Sequence, residues 1–171
     1  MSRHLPDFSG VTSDHSADIE AVAGHLRQAN VFDPAELREL IPSLLILESL
    51  AVRDSPPYDA GSIGDLRAAN QRIVDSAGDA SAAALADDEF HRRLTADCGN
   101  PRLLEVVDLI RNALLEYERK YMLSSERLER SVAEHEAIVG ALEAGDQELA
   151  AQRVRDNYTS GMPPSVKHDV T

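Results

Sequence analysis

Cysteine, tryptophan and positive charge are all scarce in this sequence. A single cysteine, Cys98, excludes an internal disulfide, a four-cysteine zinc site and a Cys-x-x-Cys redox pair. Tryptophan is absent and aromatics make up only 4% of 171 residues, against 43% hydrophobic residues, so a core must be built from Leu, Val, Ile and Ala. Lys and Arg number 17 against 30 Asp and Glu, a formal net charge of −13. A surface that acidic repels phosphate and is poorly suited to grip DNA or RNA by itself. No apolar run approaches the ~20 residues that cross a membrane. The first residues, MSRHLPDFSGVTSD, hold no apolar signal core, and the expected location is the cytoplasm. The length suits one domain of ~150 residues.

What is present is helical punctuation. Residues 1–14 show no period and read as a loose arm, 15–33 as an N-terminal helix (about Ala17 to Gln28) with a linker, and 161–171 as a loose tail. Asp33-Pro34-Ala35-Glu36 has the order of N-cap, first-turn proline and capping-box glutamate. The Leu-rich helix that follows reaches Val52, with a kink or restart expected at Pro42. Ser62-Ile63-Gly64-Asp65 reads as a second capping signature, opening a helix to about Ala77. Gly78-Asp79 precedes a helix from Ala80 to about Asp97, and Gly99-Asn100-Pro101 precedes a long one to about Tyr121. Ser124-Ser125 opens a helix that ends at Gly145, and Asp146 opens the last, to about Ser160. No run alternates with period 2, so no strand is expected. The fold class is all-α: an antiparallel bundle of six to seven helices over residues 34–160.

The inward stripe of several helices is broken by a polar residue. Positions spaced by 3 and 4 share a helix face, because four steps of ~100° return to within ~40° of the start. Leu128, Val132, His135, Val139 and Leu142 form one such stripe, with His135 at its centre. Ala84, Asp87, His91 and Leu94 form another. Leu104, Val107, Arg111 and Leu114 form a third, and Ala150, Val154 and Asn157, flanked by Leu149, a fourth. Glu48 interrupts the run Leu44-Leu45-Ile46-Leu47. Asp87, His91 and His135 offer the carboxylate oxygen and imidazole nitrogens that divalent transition metals take. Arg111 suits a small carboxylate or phosphate arriving at such a metal. The plainer readings stand beside these. A seam histidine is ordinarily a hydrogen-bonded core residue, and Asp87–His91, next to Asp88 and Glu89, also reads as a pair on a solvated acidic face. Arg111 also reads as the ion-pair partner of Glu48.

Other chemistry fails on inspection. His135-Glu136 begins like His-Glu-x-x-His, but position 139 is valine. There is no Gly-x-Ser-x-Gly and no phosphate-cradling glycine loop. His4, His15, His25 and His168 lie near the ends and read as solvated.

Three blocks occur in order: Asp87-Asp88-Glu89-Phe90-His91; Gly99-Asn100-Pro101-Arg102-Leu103-Leu104; and Glu134-His135-Glu136-Ala137-Ile138 with Ala141-Leu142-Glu143-Ala144-Gly145-Asp146. Together they resemble the FCD domain, the C-terminal ligand-binding domain of the FadR subfamily of GntR transcriptional regulators. The likeness covers about Pro34 to Ser160. It implies an all-helical bundle that dimerises and holds a metal, zinc or nickel being expected, through one Asp and three His, with a small carboxylate effector completing the coordination. By position, Asp87, His91 and His135 match three ligands. The fourth position, 22 residues beyond His135, is Asn157, a weaker ligand that also serves as a water- or effector-holding group. Glu48 and Arg111 are the remaining effector-binding candidates. The family's arginine four residues before the glutamate is replaced by Leu44.

The resemblance therefore implies the effector-binding, dimerising domain of a GntR-type regulator that senses a small organic acid, and not an enzyme. Operator DNA would be reached only through a winged helix-turn-helix, for which the residues before Pro34 are too few (~60–70 are needed for so small a domain). Two rival readings are a stand-alone metal protein or enzyme of the non-haem-iron type, since two His and one carboxylate make that triad, and a metal-free interaction module.

Overall fold

The computed structural model describes residues 34–121 and 124–161. The expected arm, the helix from Ala17 to Gln28 and the tail beyond 161 lie outside the described residues. Among these residues there are six helices and no strand. They are α1 (Pro34–Asp54), α2 (Ala60–Asp75), α3 (Ala80–Thr95), α4 (Pro101–Tyr121), α5 (Ser125–Glu143) and α6 (Gln147–Gly161). The fold is the expected all-α bundle. No helix among the described residues is long and apolar enough to cross a membrane.

Most helix boundaries follow the local chemistry of the sequence. Asp79 caps α3 by accepting from the amides of Ser81 and Ala82 at 3.0 Å. The Asn100 side chain accepts from the Leu103 amide at 3.2 Å, and the Asp146 side chain from the Leu149 amide at 2.9 Å. Gly145, at φ +74°, closes α5. Its amide reaches the Leu142 carbonyl and the next amide, of Asp146, reaches Ala141, both at 2.9 Å. That is the paired closure for which a left-handed glycine is suited.

One helix start is corrected, and of the kink or restart expected at Pro42 the restart does not occur. The cap of α2 is Asp59, which accepts from the Ser62 amide at 2.8 Å, so the helix begins at Ala60 and Ser62 lies in its first turn. Asp is as good a cap as Ser, and the Pro56-Pro57 pair upstream stops the chain from being helical any earlier. α1 runs through Pro42 without a restart. The ring removes one intrahelical bond, but Ile41, Leu44 and Leu45 around it are buried, and that packing holds the helix together.

The helices pack in a closed ring. α1 lies against α6, α6 against α5, α5 against α2, α2 against α3, α3 against α4, and α4 returns to α1. Alanines with no exposed surface (Ala51, Ala69, Ala83, Ala84, Ala150 and Ala151) let the axes approach, as a core poor in aromatics requires. The main apolar cluster, including Val52, Leu66, Phe90, Leu94, Ile138 and Val154, draws on α1, α2, α3, α5 and α6. One stripe is corrected here: Leu149 is exposed, because Ala150, Ala151 and Val154 carry the inward face of α6.

Candidate metal centre

All three seam residues, Asp87, His91 and His135, are buried, and one donor atom from each lies within 4.8 Å of the others. Asp87 and His91 are one turn apart on α3, so their side chains stack on the face turned into the ring. His135 faces them from α5. Its Nε2 is 3.6 Å from Asp87 Oδ1, and His91 Nε2 is 3.8 Å from Asp87 Oδ2. Both distances are too long for hydrogen bonds. They are close to the ~3.3–3.5 Å that separates two ligand atoms held ~2.0–2.1 Å from one tetrahedral ion.

Neighbouring helices fix how these side chains are presented. His91 Nδ1 is 2.8 Å from Glu48 Oε2 on α1. A carboxylate only accepts, so Nδ1 carries a proton and Nε2 is the ring nitrogen turned toward Asp87. His135 Nδ1 is 3.2 Å from Asn70 Oδ1 on α2. Ser131, one turn before His135, donates its hydroxyl to Asp87 Oδ1 at 2.8 Å. Phe90 stacks on the His135 ring, with centroids 3.8 Å apart.

A carboxylate and two imidazoles thus face one another. His135 Nε2 is fully buried and has no hydrogen-bond partner among the described residues. Asp87 is buried with a hydroxyl for its donor and, among the described residues, is paired with no arginine or lysine. A carboxylate and a bare imidazole lone pair held this close repel one another, and a divalent cation between them would reverse the sign. The residues fit such an ion, and the group can hold one. Burial drives the His135 pKa down to about 3, so that ring is neutral, the form that ligates.

Arg111 lies beside this group with no side-chain exposure. Its Nη1 donates to Glu48 Oε1 at 2.7 Å and to the Tyr158 hydroxyl at 2.6 Å, and its Nε donates to Asp88 Oδ1 at 2.9 Å. In this structure Arg111 is ion-paired with Glu48. Burial alone would raise the Glu48 pKa; Arg111 and His91 oppose it and hold the carboxyl at about 2. Asn157 is half-buried and donates its amide to Glu134 Oε2 at 2.9 Å.

The reading of Asp88 as a solvated residue is corrected. It is 8% exposed and bridges Arg111 to Arg92, whose Nε lies 2.7 Å from it. Arg92 in turn contacts Asp108 and Asn112 on α4. Asn70 and Tyr158 were not singled out in the sequence, yet both sit on apolar stripes: Ile63, Leu66, Asn70, Ile73 and Ala151, Val154, Tyr158. The spacing that exposed His135 would have found them.

The model of the FCD domain matches residues 36–159 of the sequence. The chain belongs to the FCD-domain family. Among solved structures, a match comes from the study titled "Lar controls the expression of the Listeria monocytogenes agr system and mediates virulence". It superposes with a TM-score of 0.69 at 16% identity, covering 95% of this chain and 82% of that one. At that identity the likeness shows the fold. No curated protein matches the sequence. Membership of the FCD family supports an effector-binding domain of the GntR type.

Proposed function

We propose that this FCD domain is the effector-binding and dimerisation domain of a GntR-type, FadR-subfamily regulator. Its ring of helices holds a divalent transition metal, zinc or nickel, on Asp87, His91 and His135. The observation that carries this reading is the meeting of two buried imidazoles and one buried carboxylate, with His135 Nε2 left without a hydrogen-bond partner among the described residues. A metal there supplies Lewis acidity and an attachment point for a small carboxylate. The chain's own residues supply the rest: Glu48 and Asn70 orient the rings, and Arg111 is the cation an arriving carboxylate meets, in competition with Glu48. Asn157, at the family's fourth ligand position, holds a water or the effector more weakly than a histidine would.

Regulation follows by population shift. A ligand that binds one dimer geometry better biases the placement of a DNA-binding part outside the described residues. The role is sensory and cytoplasmic, not enzymatic, with operator DNA reached only through that part.

The test is metal content and melting temperature of the purified protein, with and without chelator, for the native chain and His91→Ala. The native chain should carry about one metal per chain and lose thermal stability on chelation. His91→Ala should carry none and be insensitive to chelator. A substitution that leaves both properties unchanged rejects the site. Melting shifts of the zinc-loaded protein with lactate, malonate and citrate then test the organic-acid part.

A further inference from the structure

We infer that Asn70 is a positioning residue for this metal centre: its amide selects the tautomer of His135 and so leaves Nε2 bare toward Asp87. The inference rests on the metal reading above but is decided by a different property. An asparagine amide can face either way, and only its surroundings settle which end is the oxygen. Here they do. One end of the amide lies 3.0 Å from the carbonyl of Val132, on α5 one turn before His135. A carbonyl only accepts, so that end is the NH2 group. The oxygen is therefore the atom 3.2 Å from His135 Nδ1, and Nδ1 must carry the ring's proton.

The consequence reaches the far side of the ring. A neutral imidazole has one N–H, and with that proton on Nδ1, Nε2 is an unprotonated acceptor. It is the buried nitrogen that has no partner, 3.6 Å from Asp87. With the amide reversed, the proton would move to Nε2 and point toward Asp87, leaving no lone pair there for a metal. Glu48 does the same for His91 with a carboxylate. Asn70 and the Val132 carbonyl achieve it with neutral groups, which adds no charge to a site that already holds Asp87. Asn70 is 5% exposed and touches no ligand atom, so its part is to orient the ring.

The experiment compares the native chain with Asn70→Leu and Asn70→Asp. Long-range 15N–1H correlation spectra of the histidine rings, recorded at pH 8 with chelator, read the tautomer without any metal. Zinc affinity is measured separately by competition with a chelating dye. In the native chain His135 is expected as the Nδ1–H form. Asn70→Leu should release that preference and weaken zinc binding by about 10–100-fold. Asn70→Asp keeps the acceptor but loses the donor to Val132. It should melt lower than the native chain, like the Leu variant, yet keep the tautomer and bind zinc within about threefold of native. A purely structural role would make affinity follow melting temperature in both variants. The inference is overturned by Nε2–H in the native chain, by an Asp variant as impaired in zinc binding as the Leu variant, or by a Leu variant that keeps both tautomer and affinity. If even the native chain fails to bind zinc, the metal reading falls, and the tautomer comparison still decides what Asn70 does.

Discussion

Phe90 lies flat on His135. The two rings are within 5° of parallel with centroids 3.8 Å apart, while the His91 ring stands at 82° to His135. Phe90 and His91 are consecutive on α3, so one helix supplies both a candidate ligand and the wall against which the His135 ring on α5 is pressed. The phenyl face is a large apolar surface that leaves the ring only its edge for polar contact, and both nitrogens lie on that edge.

Phe90→Ala should therefore destabilise the apo protein by about 3–5 kcal/mol, the usual cost of removing a buried phenylalanine. It should also weaken zinc binding, because His135 loses the surface that sets its plane. Urea unfolding and dye competition measure the two effects. An apo stability within about 1 kcal/mol of native would show that the stack contributes little.

Arg111 and Glu48 form an ion pair with no side-chain exposure on either partner. Removing one partner strands the other, at a cost of about 3–5 kcal/mol. Arg111→Met should show that loss. The double variant Arg111→Met/Glu48→Leu should regain much of it, although His91 then lacks its Nδ1 acceptor. A double variant less stable than the single one would mean that Glu48 finds another partner once Arg111 has gone.

Acid should weaken the apo protein in two stages. The His135 pKa is depressed from 6.5 to about 3, chiefly by burial, so the unfolded chain takes up that proton more readily. Its stabilising contribution is complete above pH 6.5 and is lost as pH falls toward 3. Glu48 is depressed from 4.5 to about 2, so its contribution is complete above pH 4.5 and is lost below that. Urea midpoints measured in chelator from pH 8 to pH 3 should fall from about pH 6.5 downward. In His135→Gln the first stage should disappear. A flat profile between pH 6.5 and 5 in the native chain would contradict the buried neutral ring.

Tyr58 gives an alkaline counterpart. Its hydroxyl donates to the Leu94 carbonyl at 2.5 Å, and burial raises its pKa from 10 to about 12. The folded state holds this proton more tightly. Stability is therefore complete below pH 10 and declines as pH rises toward 12. Tyr58→Phe should be less stable by about 1 kcal/mol at neutral pH and show a shallower decline above pH 10.

The sequence and the structure agree where a rule has a local cause. Pro101 after Asn100 and Gly145 before Asp146 mark helix ends by backbone chemistry, and the structure has them there. His91, His135 and Asp87 were legible because a polar residue at 3- and 4-residue spacing on an apolar stripe must face inward. Asp88 was not, since beside Asp87 and Glu89 it looks like part of a hydrated run. Its burial comes from Arg111, 23 residues away, which no local pattern reveals. Other partners were likewise hidden: Glu48 was legible as one of two readings for Arg111, but nothing local pointed to Asp88 or Tyr158 as its further acceptors.

Each of the six helices sends at least one polar side chain toward the middle of the ring: Glu48, Asn70, Asp87 with Asp88 and His91, Arg111, Ser131 with His135, and Tyr158. Such a hub punishes partial opening. Peeling any one helix away leaves a charge or a hydrogen-bonding group orphaned in oil, so stretches of chain that could fray separately are bound to a common fate. The slowest-exchanging amides should therefore be spread over all six helices and share a single protection free energy, that of global unfolding.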